Sequence, residues 1–367
     1  MIALGVQPRI LVVALRRLGD VLLTTPLIRS LKRAWPAAAI DVLVFRGTEG
    51  ILAGNDDVGS VVTLAERPAR GESLALLRRL WRRYDLALST QSGDRPTLFS
   101  WAAGRRSVGF VDAAGIAARL KWLALDFPVL ATGGLHRVDD VLRLAEAIGI
   151  PPVPEVVAPK GPMPSGIAPD RPYAVIHAAP MFRYKRWTLD GWQVLAAGLD
   201  ARGLAVLATG GPADRAYLDE VWTGQPGVCR LDGTLPWPQL AALIAGARVY
   251  LGPDTSVTHL AAASGTATVA LYGPTDPRLW GPWPAGGLGA PWDAAGTIQN
   301  RHNVWLVQNP PSCPWAILPC QQEGCLRRLD SHSQCLDELT VSQVLSAVDA
   351  ALASPAPARM GASGAAG

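Results

Sequence analysis

The stretch GPDTSVTHLAAASGTATVALYGPT, Gly252 to Thr275, reads as the end of one strand, a polar turn, a short helix and a second strand. Asp254, Thr255, Ser256 and Thr258 crowd the turn, and Val257, Leu260 and Ala261 to Ala263 follow. A Ser or Thr just before an apolar run marks a helix N-cap. The first turn of such a helix presents free N–H groups and the positive end of the dipole, which suit an anion. Small residues at the helix end then allow close packing on TATVALYG. Taken alone, the stretch is an ordinary strand-to-helix corner of an α/β domain.

The same alternation extends on both sides. Upstream, YAVIHAA (Tyr173 to Ala179) reads as a strand, PMFRYKRW as a polar loop, and Thr188 as the cap of LDGWQVLAAGLDARG. LAVLATGG is a strand ending in Gly210 and Gly211, and PADRAYLDEVW starts a helix with Pro212 in its first turn. The helix PWPQLAALIAGAR and the strand VYLGPD lead into the opening stretch. Downstream, VWLVQ is a strand and TVSQVLSAVDAALA a last helix.

A second alternating set precedes these. RILVVAL (Arg9 to Leu15) is a short apolar run suited to a buried parallel strand. RRLGD turns into VLLTTPLIRSLKRAWP, expected as one amphipathic helix. AIDVLVF, GSVVTL, YDLALST and RRSVGF are further strands, with helices expected around residues 73–83 and 138–148. Strands alternating with helices imply parallel sheets covered on both faces. Between the sets, residues 150–172 are rich in proline and small residues and read as an extended linker. The expected domains are 1–160 and 161–339, with a C-terminal helix over 340–353 and a disordered tail over 354–367. Their cleft is expected at the carboxyl ends of the strands, where open α/β sheets place ligands.

Composition narrows the function. The chain has 367 residues, 49% hydrophobic and 17% charged, and has no apolar run suited to spanning a membrane. The N-terminus lacks the basic lead and cleavage site of a signal peptide, so a cytoplasmic protein is expected. Residues 1–160 carry 21 Lys and Arg against 15 Asp and Glu, whereas the remainder is slightly acidic. A basic N-terminal half suits a phosphorylated substrate or an anionic membrane surface; no recognised motif points to nucleic acid. Cys313, Cys320, Cys325 and Cys335 have spacings without the C-x2-C of a zinc ribbon, leaving free thiols as the default and structural zinc as the alternative.

The polar residues at strand ends are the candidates for chemistry. Asp20 stands where a carboxylate either caps free N–H groups or acts as a general base; the residues alone leave both open. Lys185 lies beside Arg183 and Arg186, a cation cluster suited to a diphosphate. Asp254, Thr255 and Ser256 open a helix start that can hold the same group. His259 falls between apolar neighbours, in the core or supporting the loop. No G-x-G-x-x-G follows the first strand and no Walker A lysine motif is present, which disfavours a dinucleotide oxidoreductase or a P-loop NTPase.

Taken together and in order, RILVVALRRLGDVLLTTPLIRSLKRAWPAAAIDVLV, KRW, ATGGPAD, LDGTLPWPQLAALIAGA and LGPDTSVTHLAAASGT resemble the bacterial ADP-heptose:lipopolysaccharide heptosyltransferases of glycosyltransferase family 9. FRGTEGILAGNDDV (Phe45 to Val58) is most similar to the heptosyltransferase III branch. The resemblance implies a GT-B fold, two Rossmann-like αβα domains facing each other across a cleft, with acceptor on the first and sugar nucleotide on the second. It implies inverting transfer of heptose from ADP-L-glycero-β-D-manno-heptose to the lipopolysaccharide inner core, with no cofactor or metal required. Asp20 then becomes the base and Lys185 a donor-phosphate ligand; Asp254 orients the sugar, and Thr255 and Ser256 hold the diphosphate. His259 supports that loop and Leu235 packs on adenine, with Gly211 and Arg183 also toward the donor. Arg16 and Arg17 are expected to meet a phosphorylated, lipid-linked core oligosaccharide, in peripheral contact with the cytoplasmic face of the inner membrane. The family's Thr pair in the phosphate loop is replaced here by Ala178 and Ala179, followed by Pro180. A GT-B enzyme for another sugar nucleotide or glycan acceptor, and a catalytically silent nucleotide-sugar-binding protein, are the rival readings.

Overall fold

The computed structural model describes residues 1–294, 296–309 and 319–354; Cys313 and the tail from 355 onward lie outside them. The first half runs β1 (Arg9–Ala14), α1 (Leu18–Leu22), α2 (Thr25–Ala34), β2 (Ala39–Phe45), β3 (Ser60–Leu64), α3 (Arg70–Leu80), β4 (Tyr84–Ser89), α4 (Asp94–Ala103), β5 (Gly104–Val111), α5 (Ile116–Ala124), β6 (Phe127–Leu130) and α6 (Arg137–Ala147). The second runs β7 (Tyr173–Ile176), α7 (Leu189–Asp200), β8 (Ala205–Ala208), α8 (Arg215–Val221), β9 (Val228–Arg230), α9 (Trp237–Gly246), β10 (Val249–Pro253) and α10 (Ser256–Ala263). It continues through β11 (Thr268–Tyr272), α11 (Pro277–Trp280), β12 (Ile298–Arg301), β13 (Val304–Gln308), α12 (Gln334–Asp337) and α13 (Val341–Ala353). Residues 148–172, which join the halves, carry no helix or strand.

The strands form two sheets with one shared logic. The first has the order β3-β2-β1-β4-β5-β6, with every pairing parallel. The second has the order β12-β13-β11-β10-β7-β8-β9, parallel except for β12 against β13. Both are the doubly wound order, reversing direction between β1 and β4 in one and between β7 and β10 in the other. At such a reversal the following loops diverge and leave a crevice. β1 is buried from Ile10 to Ala14 and β10 throughout, as strands covered on both faces must be. Two Rossmann-like units thus stand as the GT-B resemblance implies.

The structure departs from the sequence reading in the first half. VLLTTPLIRSLKRAWP is two helices, broken at Leu23 and Thr24. The cause is Pro26. It has no N–H for the carbonyl of Leu22, and the Thr25 hydroxyl donates to that carbonyl instead, at 2.7 Å. Thr24 donates likewise to the carbonyl of Asp20, at 2.8 Å. The structure also adds α4, α5 and β6, which the sequence reading passed over. The halves meet directly. Val21 and Leu22 of α1 share one buried cluster with Val257 and Leu260 of α10.

Candidate active site

The residues that follow the strands at both sheet reversals come together where α1 packs on α10. Asp20 lies in α1, beyond the end of β1. Its Oδ1 accepts from Arg16 Nη1 at 2.9 Å and lies 3.8 Å from Arg137 Nε. Arg137, from the start of α6, is buried; its Nη2 donates to the carbonyl of Thr90 at the end of β4, at 2.9 Å. Nη1 lies 3.3 Å from Asp140 Oδ2. The β1–β4 reversal therefore carries one carboxylate faced by two guanidinium groups. Burial pulls the Arg137 guanidinium below its usual value, with Asp20 opposing that fall.

Across the contact, β7 and β10 supply an ion pair. Lys185 sits in a 3-10 turn, Arg183–Lys185, after β7, and Asp254 follows β10. Lys185 Nζ donates to Asp254 Oδ2 at 2.5 Å, and the Thr275 hydroxyl donates to the same oxygen at 2.7 Å. Burial alone pushes the Asp254 carboxyl up. Lys185, His259 and the hydrogen bonds from Lys185 and Thr275 outweigh it and hold the group below the usual carboxylate range. The Lys185 ammonium is raised: burial pulls it down, but Asp254 pulls harder the other way. Both members of the pair therefore stay charged.

α10 begins as its sequence predicts. Thr255 is the N-cap, its hydroxyl accepting from Thr258 N–H at 3.3 Å, and the half-buried Ser256 opens the helix. His259 lies one turn on and is buried. Its Nε2 is 3.9 Å from Asp254 Oδ1, and its Nδ1 has no hydrogen-bond partner. Burial lowers its pKa and Lys185 adds to the fall, while Asp254 and Asp20 both oppose it. The imidazole thus stands under the influence of both carboxylates. The α1 and α10 backbones approach at Gly19, where a Cβ would make ordinary contact, 3.7 Å from both the His259 ring and Ser256.

The remaining sequence-predicted residues spread around this centre. Arg17 reaches over the Phe182 ring, 4.7 Å from its centroid, and bridges the two halves. Arg183 is exposed, and its charge bears on Asp337. The N–H of Gly211 is already engaged, donating to Asp214 Oδ2 at 2.8 Å. Leu235 is half-buried against the shared cluster. Of the cysteine segment, Cys320 and Cys325 are free thiols and Cys335 is buried, and Cys325 Sγ accepts from Gln334 N–H at 3.3 Å. Among the described residues no group of three or more His, Cys, Asp or Glu stands together to hold a metal ion.

Sequence reasoning missed Arg137 and Thr275. Thr275 ends the opening stretch and was within reach of its logic. Arg137 comes from a helix more than a hundred residues beyond Asp20, and no local pattern marks it.

The arrangement pairs an oriented carboxylate on one sheet with a cation and a helix N-terminus on the other. It can take a proton from one bound group while holding negative charge on another. The chain is similar to known proteins. The profile of glycosyltransferase family 9 (heptosyltransferase) matches residues 73–287. Lipopolysaccharide heptosyltransferase 1 of Pseudomonas aeruginosa is 30% identical over 290 residues, covering 74% of this chain and 81% of that one. Lipopolysaccharide heptosyltransferase 3 of Escherichia coli is 28% identical over 286 residues, covering 72% and 83%. Among solved structures, E. coli ADP-heptose LPS heptosyltransferase II has a TM-score of 0.71 at 21% identity, over 94% of this chain and 98% of that one. The E. coli heptosyltransferase WaaC with ADP also has a TM-score of 0.71 at 21% identity, over 94% and 99%. The structural likenesses carry the GT-B fold; the profile and the Pseudomonas relative carry the family. This chain therefore belongs to glycosyltransferase family 9, the heptosyltransferases, and is a glycosyltransferase.

Proposed function

We propose that this enzyme transfers heptose from ADP-L-glycero-β-D-manno-heptose to an inner-core sugar of lipopolysaccharide, with inversion and without a required metal. The observation that carries the reading is the packing of α1, which holds Asp20, on α10, the helix that opens just after Asp254 of the Lys185–Asp254 pair. The names of the relatives, which include lipopolysaccharide heptosyltransferases 1 and 3, support the acceptor class. WaaC with ADP supports the donor class. In this reading residues 1–160 bind acceptor and residues 161–339 bind donor, with the helix of 340–353 closing the chain.

The step is one in-line displacement. The acceptor hydroxyl gives its proton to the Asp20 carboxylate, and its oxygen forms the new bond to the anomeric carbon. The bond from that carbon to the phosphate oxygen breaks, and ADP leaves with the electron pair. Lys185 and the free N–H groups at the start of α10, with Thr255 and Ser256, receive the charge on the departing diphosphate. Asp254, fixed by Lys185 and Thr275, is placed to accept from sugar hydroxyls. His259 holds the α10 turn against α1, and Leu235 offers an apolar surface to adenine. Arg16 and Arg17 meet the phosphorylated, lipid-linked acceptor, while Arg137 orients the base.

The test is ADP release and product mass with ADP-heptose and a heptose-acceptor core oligosaccharide, and the anomeric configuration of the product. Asp20→Asn is expected to keep ADP affinity and lose transfer by at least about 10²-fold. Near-normal turnover in that variant removes Asp20 from the base role. Equal turnover with UDP- or GDP-sugars replaces the donor assignment.

A further inference from the structure

α5 is an apolar helix left on the surface. Of its nine residues, IAARLKWLA, only Ala118 is buried. Ile116 is 80% exposed, Leu120 62%, Trp122 51% and Leu123 82%. A surface helix ordinarily turns such residues inward. Single exposed hydrophobics are common, but a contiguous set marks an interaction surface. The set is contiguous here, because α4 packs against α5 on one side and α3 on the other. Between α3 and α4 lies an open apolar hollow lined by Leu74, Leu77, Trp81, Leu98 and Trp101. Trp81 and Trp101 meet edge to face at 5.8 Å, and the Arg82 guanidinium lies 5.8 and 5.9 Å from their centroids.

The charge of this layer is one-sided. Residues 70–83 and 94–124 hold ten Arg and Lys against three Asp and Glu. α5 carries Arg119 and Lys121 and no acidic residue. Leucine, isoleucine and tryptophan interleaved with cations on one helix fit an anionic lipid surface, where rings sit at headgroup depth and cations meet phosphates. A second copy of the chain fits poorly, since face-to-face packing would bring two such sets of cations together.

We propose that the α3–α4–α5 face docks on a bilayer leaflet containing anionic phospholipid, with α5 entering the headgroup–acyl boundary. The topology gives the docking a purpose. α4 and α5 start from the carboxyl ends of β4 and β5, the same sheet edge where Arg137 bonds Thr90 and faces Asp20. A leaflet under α5 therefore lies beside the first sheet's half of the cleft.

Co-sedimentation with phosphatidylcholine vesicles, with and without phosphatidylglycerol, tests this without donor or acceptor. Its failure would thus leave the transferase reading standing. The wild-type protein is expected to bind only vesicles with the anionic lipid, and less as salt rises. Trp122→Ser with Leu123→Ser is expected to lower the partition coefficient by about tenfold or more. Arg78→Glu with Arg79→Glu is expected to lower it and flatten its salt dependence. All these side chains lie in the exposed layer, so unchanged melting temperature and ADP affinity will show the variants folded. Equal binding by folded variants and wild type overturns the proposal. So does a concentration-dependent dimer, broken by the same substitutions, in a protein that ignores vesicles.

Discussion

At the scale of single residues, the question is how a carboxylate serves as a base while two arginines face it. The two are not equivalent. Arg16 is 43% exposed along its side chain, so solvent screens its contact with Asp20 and the pair fixes little. Arg137 is 8% exposed and is held by Thr90 and Asp140, and its Nε has no hydrogen-bond partner although Asp20 Oδ1 is 3.8 Å away. A small movement of Asp20 on binding an acceptor would close that gap, so Arg137 is a positioning residue for the base. Arg137→Met is expected to lower kcat by about 10²-fold while the ADP dissociation constant stays nearly unchanged, since misplacing a reacting group costs that much. Arg137→Lys, which keeps the charge, is expected to recover part of the loss. Initial-rate kinetics beside calorimetric ADP titration decide it; parallel losses in kcat and ADP affinity would mean that the site as a whole had collapsed.

At the scale of elements, α10 joins stability to ligand binding through one hydroxyl. Thr255 caps the helix, and its Oγ1 lies 3.3 Å from Thr258 Oγ1. Thr258 in turn donates to the carbonyl of Pro253 at 2.5 Å and meets the Tyr250 hydroxyl at 3.0 Å. Thr255→Ala is expected to destabilise the protein by about 1 kcal/mol, read as a lower urea midpoint. It is also expected to weaken ADP binding, because the N–H groups of the first turn lose their fixed direction. Thr255→Ser, which keeps the oxygen, is expected to restore both; if it restores stability alone, the N–H groups do not meet the diphosphate. This helix was legible in the sequence because its signals are local: a threonine, an apolar run, small residues where it meets the next strand. β1 was legible for a related reason, since a strand buried on both faces reads as an unbroken apolar run. α4 was not, because its buried residues include Pro96, Thr97 and Ser100, which form no apolar stripe. α5 was not, because its apolar residues face outward and give no core pattern. In the site, Asp20, Lys185, Asp254 and Thr255 follow strands directly and could be found by their place at strand ends. Arg137 and His136 come from the far end of the first half, and only the closed fold brings them in.

At the scale of the whole molecule, the two halves are joined by several contacts, one of which depends on pH. Trp283 Nε1 donates to the carbonyl of Pro154 at 2.8 Å, and Trp237 presses on Gly50, where a Cβ would lie 2.8 Å from its ring. His136 makes the titratable contact. Its Nδ1 accepts from Val138 N–H at 3.2 Å as the cap of α6, and its Nε2 lies 2.8 Å from the carbonyl of Gly281 on the opposite half. Only the neutral ring with its proton on Nε2 makes both bonds; a second proton on Nδ1 abolishes the cap. Burial accordingly pushes the His136 pKa down to about 4, against the pull of the Gly281 carbonyl. His177, beside Thr209 at the end of the second sheet's central strands, is also pushed by burial down to about 4. A histidine whose folded pKa lies below its unfolded value of 6.5 binds fewer protons folded than unfolded between the two. Its contribution to stability is complete above pH 6.5 and is lost as pH falls toward 4. Asp254, also depressed, adds its own loss only below the ordinary carboxylate range, so the two effects separate along the pH axis. Between pH 7.5 and 4.5 each histidine is expected to cost on the order of 2–3 kcal/mol of stability, seen as a falling urea midpoint. His136→Gln, whose amide can donate to Gly281 and accept from Val138 without titrating, is expected to flatten that fall in part and to leave the shares of His177 and His259. A midpoint in His136→Gln that falls as steeply as in wild type would mean that His136 is not a titrating contact between the halves.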